Sequence, residues 1–408
     1  MAEAAVAAVV KFAAAAAAKI TVKAVVTAAA KVALMAGINA VVQNNSKPEQ
    51  QGGLTTLTIN PAEPRRLQVG KRLNGGVLVD WYVRGSKNQN LYLVIYLGEG
   101  PMGALTRVFA GGRVVYDVTA PGSSAFSHGV RKTIPDFRSG GDRLWVTYYD
   151  GRAGQTADAN LVGYGLGWTS TCVGTGCAYV IVECQWDSDN LTSPPQLAFE
   201  LEGAKLYDRR LDTTAGGSGS HRIDDPSTWA VSSNPAVALD HYLLGRYLDS
   251  VKTFGIGLDP EDVPYDRFAA LANLCDEDVT LKAGGTQNRY ESHGFLFADR
   301  SYSDTIKDLC RAMNARPADF GGRVGILDGE SRTPVMTLTD DDVIEDATEQ
   351  YSPKRSWNDL VSEVRGTFQS PAQNYQAIDY PRITDASWVT ADGGSAKEAT
   401  LDLEMETN

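Results

Sequence analysis

From Leu54 onward the chain runs in short apolar stretches bounded by glycine. "GGVLVDWYVRG" and "NLYLVIYLGEG" read as two strands, with "SKNQN" as the turn between them. "GGRVVYDV", "RLWVTYYDG", "AYVIVECQW" and "QLAFELEG" keep the same rhythm, so residues 54–210 are expected to form a β-rich domain. "TTAGGSGSHRIDDPS" interrupts the pattern and marks a Gly/Ser linker over 211–230. The apolar period then lengthens. "NPAVALDHYLLGRYL" spaces Val237, Leu239, Tyr242 and Leu243 as a helix does, with Asn234 as N-cap and Pro235 where its missing N–H costs nothing. "YDRFAALANLCDE" predicts a second helix with Tyr265, Phe268, Leu271 and Leu274 on its apolar face, and "SYSDTIKDLCRAMNA" predicts a third. Short strands return in "GRVGILDG" and "PVMTLTD", which completes a mixed α/β domain over 231–348. "NDLVSEVRGTF" then opens a further β-rich segment over 349–408. The fold class is α+β.

The first 43 residues are nearly continuous Ala and Val, without proline, and predict one long helix at about 1.5 Å rise per residue. Lys11, Lys19, Lys23 and Lys31 are spaced by multiples of four. Residues four apart advance about 40° around a helix, so these lysines form a slowly winding stripe. The same lysines cut the apolar run below the roughly 20 residues a membrane span needs, and Glu3 with no basic n-region argues against a secretory signal. "NNSKPEQQGG", Asn44 to Gly53, ends the helix and reads as a linker. The remaining faces of the helix are apolar and are expected to pack against other chains. Insertion into a membrane is the alternative, since lysines can snorkel.

Charge and chemistry narrow the function. A formal net charge of -12 over 408 residues excludes a reader of nucleic acid with a basic face, whereas an acidic wall would let DNA pass without holding it. Cys172, Cys177, Cys184, Cys275 and Cys310 are an odd set with one close pair, "CVGTGC", which either closes a small disulfide or stays as two thiols. His128, His221, His241 and His293 are isolated from one another, without metal-ligand spacing. "GYGLG" and "GIGLDP" are followed by no Gly-Lys-Ser/Thr and read as loops, not phosphate cradles. "DDDVIED", Asp340 to Asp346, lacks the glycine and ligand order of a calcium loop and reads as a solvated turn. No catalytic, cofactor-binding or metal-binding residue is assigned, and no cofactor or enzymatic activity is expected.

Several segments, in order, resemble the tip attachment protein J family of lambda-like siphophages, the central tail hub. They are "EPRRLQVGKRLNGGVLVDW", "NLYLVIYLGEGPMGALTRVFAGGRVV", "YYDGRAGQTADANL", "LEGAKLYDRR", "WAVSSNPAVALDHYLL", "GIGLDPEDVPYDRFAALANLCDE" and "WNDLVSEVRGTFQSPAQNY", together spanning about Glu63 to Tyr380. Ala204 stands where that family more often has a basic residue. The resemblance implies β-rich hub domains in a homotrimeric ring at the tail tip of a virion. Its neighbours would be the distal tail protein, other tip proteins and the tape measure protein. The ring would close the tube, then form the DNA exit channel. The alternative function is a membrane-active tip protein whose N-terminal helix contacts the host envelope. Family members continue into further hub domains and a receptor-binding end, so receptor binding is not expected of this stretch.

Overall fold

The computed structural model describes residues 56–406 apart from 61, 249, 282–283, 331–332, 338, 340–341, 343–359 and 392. The expected N-terminal helix, the Asn44–Gly53 linker and all of the 340–346 acidic run but Asp342 lie outside the described residues. What is described is an α+β fold built around two large cores.

The first core lies between two antiparallel sheets. One has five strands in the order Val77–Arg84, Asn90–Glu99, Cys177–Gln185, Leu144–Tyr149, Arg131–Thr133. The other runs Arg72–Asn74, Leu197–Leu201, Leu105–Ala110, Arg113–Asp117. Along Asn90–Glu99 successive side chains alternate between two apolar environments. Leu91, Leu93, Ile95 and Leu97 enter the core shared with Val108, Val180 and Phe199. Tyr92 and Val94 face the other way, into a cluster with Tyr149, Trp168, Tyr179 and Leu161. That second face is covered by the segment 151–176, which carries the short helix α1 (Ala159–Tyr164). A strand buried on both faces has no polar alternation, which is why "NLYLVIYLGEG" is nearly all apolar. "GYGLG" is not a free loop: its Gly165 caps α1 in the left-handed region at φ 65°.

The second core is helical. α2 (Pro235–Leu244) packs against α3 (Tyr265–Cys275) and α4 (Tyr302–Arg311). Every residue of α2 is buried. Its start is as expected, with the Asn234 side chain accepting the N–H groups of Ala236 and Val237. Its end is earlier than "NPAVALDHYLLGRYL" suggests, because Gly245 at φ 83° breaks the helix and Arg246–Leu248 becomes a strand paired with Val251–Phe254. The inward face of α3 is Phe268, Leu271, Ala272 and Cys275, with Tyr265 and Leu274 only half-buried. Steps of three residues each fall about 60° short of a turn, so a strict i, i+3 series winds off the buried face within two turns.

This core is not confined to the helical half of the chain. Leu67, Val69, Ala204, Leu206 and Tyr207 belong to it, together with Trp229 and Met405. Arg66–Val69 pairs antiparallel with Gly294–Phe297, and Lys205–Leu206 with Ala230–Val231. Where the two halves meet, Gly203 (φ 91°) passes so close to Gly70 that an added Cβ would lie 2.5 Å from the Gly70 carbonyl oxygen. The Gly/Ser connector 211–230 is packed as well, with Asp212, His221 and Trp229 all buried.

The remaining residues form smaller pieces. Ala315–Asp319 and Val324–Asp328 make a hairpin. Glu363–Arg365 sits between Ile383–Thr384 and Glu398–Thr400 in a three-stranded sheet, followed in chain order from Ile383 by α5 (Ala386–Ala391). Thr367–Ser370 pairs with Gln376–Asp379, and Tyr375 in their turn is buried with Leu73, Phe109 and Ala198. "PVMTLTD" is not a strand in its described residues. Val335 is fully exposed and Met336 largely so, since among the described residues no neighbouring strand offers the apolar cover its pattern requires.

Packing of the connector has a measurable consequence. Trp229 is 3 % exposed, and its Nε1 donates to the Arg222 carbonyl at 2.7 Å. Trp229→Ala is expected to cost about 3–5 kcal/mol, read as a fall in thermal midpoint. A loose linker would show no change.

Candidate functional site

A dense polar network forms where Tyr207, Asp208, Arg209 and Arg210 leave the strand Lys205–Leu206. Each residue of this run holds a different element. The Tyr207 N–H donates to His241 Nδ1 on α2 at 3.1 Å, and its hydroxyl donates to Asp212 Oδ2 at 2.7 Å. The Asp208 N–H donates to His221 Nδ1 at 3.2 Å. Arg210 is gripped by Asp208 and reaches Asn273 of α3 and Asp276 at its C-cap, both at 2.8 Å. Asp276 in turn accepts from the N-cap residue Asn234, which ties α3 to the start of α2.

Arg209 turns inward. Its Nε donates to Asp240 Oδ2 at 2.8 Å, its Nη2 donates to Asp240 Oδ1, and its Nη1 donates to the Val263 carbonyl at 2.9 Å. Both partners of the ion pair are under a tenth exposed. Arg209 lies against the rings of Tyr265 and Phe268, and its charged partner Asp240 is on α2. Burial pushes the Asp240 carboxyl up to about 6 against the attraction of Arg209.

A second buried cation joins the sandwich to the helical core. Arg246, just after the helix-ending Gly245, donates to the carbonyls of Gly100 and Lys205 at 3.1 and 3.0 Å and lies over the Trp229 ring. Burial brings its pKa down to about 10. Arg66 and Arg72 are likewise enclosed, each with its guanidinium against the Phe295 ring, and donate mainly to carbonyl and amide oxygens. Arg65, beside them in sequence, goes to Glu99 instead, with two bonds of 2.7 and 2.6 Å. Burial alone would raise Glu200, but bonds from Arg107, Thr106 and Lys71 hold it down at about 2.

Three of the four histidines share one role, while His128 Nδ1 lies 2.9 Å from Asp150 Oδ1. His221, His241 and His293 each accept a main-chain N–H at Nδ1, from Asp208, Tyr207 and Lys71. That acceptance leaves the proton of the neutral ring on Nε2. For His241 the Nε2–H then meets Arg246 Nη1 at 3.3 Å as a contact between two donors, not a hydrogen bond. Burial depresses His241 well below the usual imidazole range, with Arg246 adding to it, and burial lowers His221 too. All five cysteines are free thiols, and burial pushes Cys177, Cys184, Cys275 and Cys310 up to about 12. Among the described residues no group of three or more His, Cys, Asp or Glu is arranged to hold a metal ion.

The arrangement is therefore a joint. Sequence reasoning singled out the Tyr-Asp-Arg-Arg run but not its partners, and it missed Arg246, Arg72 and Glu200 altogether. A charged residue directly after a helix-ending glycine was the one local signal for Arg246.

Comparison with known proteins finds a likeness for part of the chain. Residues 301–404 match the family model described as "Putative phage tail protein". That stretch takes in α4, the 315–328 hairpin and the C-terminal three-stranded sheet. No curated protein matches. Among solved structures the chain is similar to a chain of "Virion of native gene transfer agent (GTA) particle". The overlay has 15% sequence identity and a TM-score of 0.48, and covers 96% of this chain and 82% of that one.

Two measurements probe the joint. Asp240→Ala leaves Arg209 buried without its counter-charge and is expected to cost about 3–5 kcal/mol, while the pair Arg209→Met with Asp240→Leu should recover much of the loss in chemical denaturation. His241 takes up a proton more readily unfolded than folded, so its contribution is complete above about pH 6.5 and is lost as pH falls below that value. Between pH 7 and 5 the thermal midpoint of His241→Gln should therefore fall less than that of the wild type.

Proposed function

We propose that this chain is a structural subunit of a phage-type tail, and more narrowly that it is a hub protein of the tail tip. Three copies would form a ring at the distal end of the tube. The ring closes the tube before infection and lines the path of DNA afterwards, with the distal tail protein, other tip proteins and the tape measure protein as neighbours. The observation that carries the reading is the phage-tail match over residues 301–404. It overlaps the end of the stretch, about Glu63 to Tyr380, whose ordered motifs resemble the tail hub family, so a local match and a longer order of motifs support the same reading.

The physical character of the molecule supports the same reading. The joint described above consists of buried ion pairs and backbone staples, which hold elements in register. The reading assigns no enzymatic step. The net charge of -12 suits a wall past which DNA moves without being held. Residues 1–43 are assigned to packing against other tip chains.

Native mass measurement of the full chain released from tails is the direct test. Three copies per assembly are expected. Six copies per particle, or a stable monomer in the tail, would remove the ring. Leakage of liposomes induced by a peptide of residues 1–43 would favour the membrane-active alternative.

A further inference from the structure

The hairpin of Thr367–Ser370 and Gln376–Asp379 carries an anchor in its own turn. A 3-10 turn at Pro371–Gln373 is followed by Asn374 at φ 55° and Tyr375 at φ 59°. Both residues are left-handed. Asparagine tolerates that region because its short amide bonds locally, whereas tyrosine suffers the full clash of its Cβ. Glycine or asparagine would fit the same turn without strain.

The sheet beneath holds Tyr375 in this conformation. Along Leu197–Leu201 the register sets Ala198 opposite Phe109, and Glu200 opposite both Arg107 and Leu73. Side chains alternate in a strand, so these five share the face turned away from the sandwich core, into which Phe199 and Val108 point. Tyr375 lies on that outer face, 2 % exposed, with its ring among Leu73, Phe109 and Ala198 and its hydroxyl donating to Glu200 Oε2 at 3.2 Å. Asn374 Nδ2 donates to the Gly112 carbonyl at 3.1 Å. Their neighbours Gln373 and Gln376 are exposed. The tip of the hairpin is thus attached through its two left-handed residues.

The base is attached without strain. The Leu403 N–H donates to the Thr367 carbonyl at 2.8 Å, and the Gln369 N–H to the Glu406 carbonyl at 3.0 Å. The His293 N–H donates to the Met405 carbonyl at 2.7 Å, and the Met405 side chain enters the helical core. No residue of this strap, 402–406, has a positive φ.

We propose that the loop 371–375 is a latch with two backbone states. Closed, Tyr375 is held left-handed in the cleft between Leu73 and Phe109. Open, it relaxes to negative φ and leaves the sheet, and the hairpin pivots on the 402–406 strap. Ring and backbone move together, because a left-handed tyrosine persists only where its surroundings impose it. Apolar contact favours the closed state and the backbone favours the open one, which makes the loop a two-state element. Glu200 keeps Arg107, Lys71 and Thr106 when Tyr375 departs, so opening leaves no buried charge without a partner.

Thiol labelling of Ala198→Cys in the full chain, read by peptide mass, tests the latch. Cys184 in the sandwich core and Cys310 in the helical core are internal controls. Position 198 lies under Tyr375 and should label whenever the latch opens, faster than the two controls, which wait for wider unfolding. Adding Tyr375→Ala should speed labelling at 198 by at least about tenfold, since loss of a buried ring exceeds one decade of an equilibrium constant. Both controls should keep their rates, and the His293 amide its protection from hydrogen exchange. Labelling at 198 no faster than at Cys184, or an unchanged rate in Tyr375→Ala, overturns the proposal. Controls that accelerate in step, or loss of the His293 protection, overturn it too. If Ala198→Cys does not fold, Leu73→Cys probes the same cleft and the same outcomes decide.

Discussion

A buried guanidinium has to be answered where it lies. Arg209 reaches the interior with its charge intact, and Asp240 is the carboxylate that answers it. Because the fork is planar and its donors point in fixed directions, the pair sets the spacing and rotation of α2 against the strand that carries Arg209. The Val263 carbonyl takes the remaining direction and brings in the approach to α3. Such a pair is a weak source of net stability, since desolvation offsets much of the attraction. What it supplies is a penalty for every arrangement in which the two halves are misaligned.

The sandwich is organised on the opposite principle. Its five-stranded sheet is covered on both faces by apolar side chains, so burial supplies most of the driving force and many packings would satisfy it. The helical body is shared with strands from the sandwich, and at that seam the apolar contacts give way to Arg246, Arg66, Arg72 and three histidines that each take a backbone N–H. Apolar cores provide the free energy, and polar seams select one arrangement of them.

The strands of the sandwich were legible because glycines bound them and their runs are short. The start of α2 was legible because Asn234 and Pro235 act within one turn. What was not legible depends on partners far along the chain. The end of α2 turns on Gly245 approaching Gly257, and the inward face of α3 on what lies beneath it. "PVMTLTD" has a strand's alternation, but alternation cannot supply a neighbouring strand. At the joint the Tyr-Asp-Arg-Arg run stood out as a motif, whereas Asp240, His241 and Asp276 have no local mark of their role. Arg72 and Arg246 were passed over because charged residues ordinarily lie at the surface. The 301–404 stretch, where the phage-tail match lies, is also where short strands made the pattern least regular.

The pairing of Arg66–Val69 with Gly294–Phe297 joins stretches that a ribosome makes far apart in time. Until the later strand emerges, Leu67 and Val69 have an incomplete core to enter, and the entropy of closing so long a loop is paid before the contact returns anything. The sandwich has no such wait, since its strands all lie upstream of the first long helix. Synthesis thus separates the two cores in order: a β-domain that matures early, and a helical one that stays open until the chain returns to its own beginning.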